Sequence, residues 1–259
     1  MKEPEDEHVS RRATDATVLA TDAALPRIVA LSVMIATIHF ADLGPIGAAR
    51  AVLRRPRREE VRGLRSAEVT LLAPLALSGP PPLGRAGLIA FWDDEDSIDR
   101  FLDTHPTGRR FSGGFQARMR PLRASGSWPG LPIELPESRS VSQDGPIVVL
   151  TLSRVRMSQA VRFLRASRPA EPAAVAADGM IWATAAVRPP VMTTISIWES
   201  GRAAVAYAYG RKQPAHPRVI AEKERKDFNR QSAFIRFAPT RLEGALVHHN
   251  PLAASAVAI

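Results

Sequence analysis

Six histidines in 259 residues are the scarcest groups in this chain that could move a proton or hold a metal near neutral pH. One stands in QPAHPRVI, residues 213–220, where His216 lies between prolines and ahead of a basic helical pattern. Pro217 suits a first helical turn, so an imidazole at His216 would be held at a helix start. Two readings stand: a ligand, or a turn histidine facing solvent. His39 closes the strand pattern of TIHFAD. It could line a pocket as an acid–base group, or be a partly buried polar residue. His105 in THPTG holds a similar place in the first part of the chain, and His248 and His249 fall in an alanine-rich tail. No carboxylate stands near that pair at metal-binding spacing.

What is missing narrows the chemistry. The chain has no cysteine, which removes disulfides, thiolate metal sites and cysteine nucleophiles and agrees with a cytoplasmic location. No GxGxxG follows a strand, so a Rossmann nucleotide site is disfavoured, and GxxxxGK[ST], HExxH and GxSxG are absent. The net charge of +9 is carried mainly by arginine, in RRPRREEVRGLR (54–65), RMRPLR (118–123) and RFLRASR (162–168). None of these runs interleaves aromatics at regular spacing, so nucleic acid is not an expected partner. The N-terminus is polar and no apolar run reaches the length of a membrane span, which leaves at most contact with a membrane surface.

Alternating apolar residues predict strands at 28–39, 67–77, 86–92, 113–126, 146–155, 180–187, 191–198 and 232–239. Helical periodicity appears at 94–105, 158–168, 200–210 and 216–231. Two units echo each other. GLIAFWDDEDSIDRFLDTHP and TTISIWESGRAAVAYAYGRKQP are each a strand ending in Trp, a nearby acid, then a helix ending near proline. The turn-rich stretch between them reads as a linker. The expected organisation is a tail (1–24), a first ferredoxin-like half (25–125), a linker (126–145), a second half (146–240) and a tail (241–259). The fold class is α+β, with duplicated halves whose antiparallel sheets pack as a barrel. Trp92 and Trp198, ending the paired strands, read as core. Trp128 in GSWPG falls outside any periodic element, placed to cap a pocket or to pin the linker on the barrel.

Four stretches taken in order resemble the spheroidene monooxygenase family of carotenoid oxygenases. They are RPLRASGSWPG (120–130), GPIVVLTLSRVRMSQAVRFLR (145–165), TISIWES (194–200) and AYAYGRKQPAHPRVIAEKERKDFNRQSAFIRF (206–237). The resemblance implies a dimeric-α+β-barrel fold, shared with haem enzymes such as chlorite dismutases and aldoxime dehydratases. It also implies heme b as cofactor and oxidation of an apolar or amphipathic small molecule. His216 stands at the family's histidine and would be the axial ligand. Arg123, Arg211, Lys212 and Arg225 are candidates for the haem propionates, and Tyr209 for the macrocycle face. His39 and Trp128 are the candidate catalytic residues lining the pocket. A monooxygenase would also need an electron donor, and a homodimer is compatible with the barrel. Alternatives from the residues remain: a haem-dependent lyase or dehydratase, a cofactor-free monooxygenase, or a carrier of haem or another apolar ligand.

Overall fold

Alternation sets which side of the sheet each residue takes. In the strand Ile147–Val155, Val148, Leu150 and Leu152 enter one core, while Ile147 and Val149 pack on the opposite face. The same period, shifted at a few bulges, gives the sheet two apolar faces, one closed inside a barrel and one covered by helices. The computed structural model describes residues 34–75, 83–131, 145–167, 174, 176–209 and 228–244.

The first half runs β1 (Ile35–Asp42), α1 (Gly44–Leu53), β2 (Leu64–Ala73), β3 (Arg85–Trp92), α2 (Glu95–Thr104), α3 (Pro106–Phe111) and β4 (Phe115–Gly126). The second runs β5 (Ile147–Val155), a short 3-10 turn (Met157–Gln159), α4 (Ala160–Ser167), β6 (Met180–Arg188), β7 (Val191–Trp198), α5 (Gly201–Tyr209) and β8 (Asn229–Glu243). All pairings are antiparallel, and the ring closes as β1-β3-β2-β6-β7-β5-β8-β4. Each half has the ferredoxin-like order, β4-β1-β3-β2 and β8-β5-β7-β6. Exchanging the halves returns the same ring, which is the duplicated α+β barrel expected from the echo. The seams between halves differ. The β4–β8 ladder runs from Gln116 opposite Glu243 to Gly126 opposite Ala233, whereas β2–β6 extends only from Leu71 opposite Val187 to Ala73 opposite Ala185.

Several boundaries differ from expectation. β1 continues to Asp42 and β2 starts at Leu64, ending at Ala73 before Pro74, which has no N–H for a ladder. Of the helix expected over 216–231, residues up to 227 lie outside the described residues, and Asn229 and Gln231 pair with Val155 and Arg154 of β5. α1 and α3 were not expected. α2 starts as its sequence suggests, with the Asp94 side chain accepting from the Ser97 N–H at 2.7 Å. Ser200 likewise caps α5, accepting from the Ala203 N–H at 3.2 Å.

The barrel interior holds Ile38, Phe40, Phe91, Phe115, Met119, Leu150, Ile195 and Phe237. A second core lies under α1, α2 and α3, around Leu88, Trp92, Ile98, Phe101 and Phe111. Trp92 is fully buried there and donates its indole N–H to the Thr37 hydroxyl at 2.9 Å. Trp198 is buried in the equivalent place of the second half, donating to Ser196 at 2.9 Å.

The turn into β4 contains two glycines with opposite tolerances. A Cβ on Gly114 would sit 1.9 Å from the Phe40 carbonyl oxygen, while one on Gly113 would meet nothing within 4 Å. Gly114→Ala is expected to destabilise the protein by about 2 kcal/mol, because backbone on backbone has no rotamer to yield. Gly113→Ala should stay within about 0.5 kcal/mol of wild type. Urea unfolding of the two variants checks the contrast.

Candidate functional site

The helix layers over the two halves are not equally filled. Among the described residues, fourteen bury into one cluster in the first half, and three, Ile147, Trp198 and Ala204, into the corresponding cluster of the second. α4 explains the difference. Phe163 and Leu164 lie on its sheet-facing side, yet none of its residues is buried. It leans on the chain through Phe163, whose ring meets Phe228 edge-on at 6.0 Å. Between α4 and the outer face of β5, β6 and β7 lies a cleft of about 60 Å³, lined by Thr151, Ser153, Phe163, Leu164, Met192 and Thr194. Its walls are mostly apolar, and hydroxyls are its side-chain polar groups.

Further along the same outer face, Arg123 of β4 stands directly opposite Arg236 of β8. Phe234 is the next outward residue on β8, opposite Thr151. Arg236 is buried and Arg123 half-buried. The inward Ile235 and Phe237 on either side fix Arg236 on the outward face.

The remaining expected site residues are dispersed. His39 is wholly buried, but its neighbours Ile38 and Phe40 occupy the barrel interior, so its ring faces the helix layer of the first half. It sits opposite Leu88 of β3 and Gln116 of β4. Both ring nitrogens lack a hydrogen-bond partner. Burial, with a smaller contribution from the charge of Arg118, lowers its pKa to about 3. Arg118 is tied to Glu95 and Asp99 of α2. His39 is therefore a neutral imidazole in the first half, remote in the fold from the cleft under α4. His105 ends α2 and caps α3, its Nδ1 accepting from the Thr107 N–H at 3.1 Å while its ring stacks on Phe101.

Trp128 is buried in the barrel interior at the end where β4 finishes. Arg154 lies over its ring at 5.3 Å, and Ser66 donates to the neighbouring Pro129 carbonyl at 2.6 Å. It thus plugs one barrel mouth, and the sheet separates it from the cleft. Tyr209 is the last residue of α5; its side chain and Arg211, Lys212, His216 and Arg225 lie outside the described residues.

A second depression, of about 340 Å³, lies over the short β2–β6 seam and is lined by Leu72, Ala73, Pro74, Arg85, Trp182 and Thr184. It is the larger of the two and within the range of ligand pockets. Among the described residues, Arg85 is the charged group of its lining.

Sequence reasoning missed Glu68. It points into the barrel from β2, buried, and Arg55, Arg154 and Arg188 gather on it. A glutamate in an alternating strand reads as solvent-facing, and Arg188 is 120 residues away in the chain.

No family model matches the chain. It is 31% identical over 170 residues to the spheroidene monooxygenase of Rubrivivax gelatinosus, a match covering 63% of this chain and 64% of that protein. The matched region thus spans a little under two thirds of that relative's length. Among solved structures it is similar to an aldoxime dehydratase in complex with butyraldoxime, with a TM-score of 0.48 and 10% identity over 80% of this chain and 79% of that one. A monooxygenase-like protein from Listeria innocua aligns over 78% of this chain and 93% of its own, with 16% identity and a TM-score of 0.28. No helix among the described residues is long and apolar enough to cross a membrane.

Proposed function

We propose that this chain is an oxidoreductase of monooxygenase type that takes an apolar or amphipathic small molecule in the second half, with a haem held there by His216. The observation that carries this reading is the cleft beside α4, an amphipathic helix none of whose residues is buried. The likeness to spheroidene monooxygenase supports the reaction class.

The described residues meet part of what a haem requires. Phe163, Leu164 and Met192 offer an apolar wall, and Thr151 and Thr194 offer hydroxyls beside it. Arg123, on the outer face of β4 opposite Arg236, is our candidate for a propionate. The cleft of about 60 Å³ is far smaller than a ligand pocket of about 300 Å³ or more, so as it stands it does not hold a macrocycle. The two histidines among the described residues both belong to the first half, so the axial imidazole comes from outside them. His216, in the segment joining α5 to β8, is our assignment. When bound, haem supplies the one-electron and oxygen chemistry. The protein's part is to exclude water with the α4 face, orient the ligand on the threonine hydroxyls and anchor a carboxylate on Arg123.

Haemin titration of the wild type should give a Soret band of imidazole-ligated type. His216→Ala should weaken haemin binding by roughly a hundredfold and change the spectrum, loss of a buried iron–imidazole bond being among the larger single-site effects. An unchanged spectrum and affinity in the variant would remove the ligand assignment. A wild type that binds no haemin would remove the cofactor.

A further inference from the structure

We propose that the barrel mouth plugged by Trp128 is a binding site for a small carboxylate, held between Arg154, Arg188 and Thr193. This site lies on the barrel side of the sheet and does not rest on the haem reading.

The argument starts from charge. Glu68 is buried on the inner wall. Arg55 donates to its two oxygens at 3.2 and 3.1 Å, Arg188 pairs with it closely, and Arg154 stands 3.9 Å away. One carboxylate thus faces three guanidinium groups, and the 3.9 Å approach is too long for a hydrogen bond. Among the described residues, no other acid pairs with Arg154 or Arg188.

The second observation is hydrogen bonding. The Nε–H groups of Arg154 and Arg188 and the Thr193 hydroxyl are all buried, and all three lack a partner. Buried polar groups in folded proteins are nearly always satisfied, and those that are not mark a missing water or ion.

The third observation is register. Thr193 on β7 is flanked by Leu152 of β5 and Ala186 of β6. Two residues along, Arg154 and Arg188 both stand opposite Val191. The hydroxyl therefore has an arginine on either diagonal, and all three groups face the interior of one barrel end. A water there would satisfy donors and leave the surplus charge; an anion answers both. A carboxylate has two oxygens with about four acceptor positions, enough for two guanidinium N–H groups and one hydroxyl. Leu152, Ala186 and Val191 form an apolar floor, and Trp128 covers the site through its contact with Arg154. Arg154 and Arg188 are 35% and 20% exposed as side chains, which leaves a way in from solvent.

Acetate is the probe, titrated into the full-length protein by calorimetry and thermal unfolding against chloride at matched ionic strength. Acetate should bind with saturation and raise the melting temperature where chloride does not. Thr193→Val keeps the side-chain outline and should weaken acetate about tenfold, the effect of one charge-assisted hydrogen bond. Arg154→Met should weaken it further, and Glu68→Gln should strengthen it by removing the competing carboxylate. Equal responses to chloride and acetate would overturn the proposal. So would wild-type acetate affinity in Thr193→Val, which decides the matter even if the arginine or glutamate variants do not fold.

Discussion

Acidification from pH 6.5 to pH 4 should cost the fold about 3 kcal/mol through His39 alone. Burial keeps this imidazole neutral in the folded protein down to about pH 3. In the unfolded chain it takes up a proton below its ordinary value of 6.5. Between those limits the unfolded state binds more protons, so stability rises with pH across the window and falls as pH drops through it. The full span would amount to about 5 kcal/mol. His39→Leu should flatten this limb while leaving stability near pH 7 close to wild type, because it also removes two buried nitrogens that have no partner. Urea unfolding of both proteins at half-unit intervals from pH 4 to 7.5 makes the comparison. Parallel curves would show that the acid sensitivity lies elsewhere.

Glu68→Ala should be the most damaging single change at the interface between the halves, at about 3 kcal/mol, since it leaves partly buried guanidinium groups without their buried counter-charge. The carboxylate side chain is 7% exposed, and its partners Arg154 and Arg188 come from the second half. Across the short β2–β6 ladder it is the ionic tie that reinforces few backbone bonds. Arg55, 44% exposed, binds the same carboxylate from the rim. Arg55→Ala should therefore cost no more than about 1 kcal/mol. Equal losses in the two variants would mean that the rim contact, and not the tie across the seam, sets the strength of the joint.

The strands were legible because their alternation is nearly unbroken. PIVVLTLSRV and VMTTISIW each gave a strand within a residue or two of its observed ends. α1 was not legible because its pattern is inverted: Ala48 and Ala51 are the buried residues, while Ile46 and Leu53 are 72% and 83% exposed. A search for bulky apolar residues at helical spacing cannot find a helix that buries alanine. The site divided along a similar line. Residue type singled out Arg123, but its partner Arg236 is defined by a cross-strand register between distant strands. For His39, parity with Ile38 and Phe40 gives the face, yet which face becomes barrel and which becomes helix bed depends on how the sheet closes. That closure is a property of eight strands together.

A barrel built by two identical chains would present two equal helix beds, and any ligand would find two equivalent places that could influence each other. Here both beds belong to one polypeptide, and one has been sealed by Phe101, Phe111 and Leu88 while the other holds α4 loosely. The stoichiometry should follow: one cleft ligand per chain, a hyperbolic isotherm, and a Hill coefficient of about one.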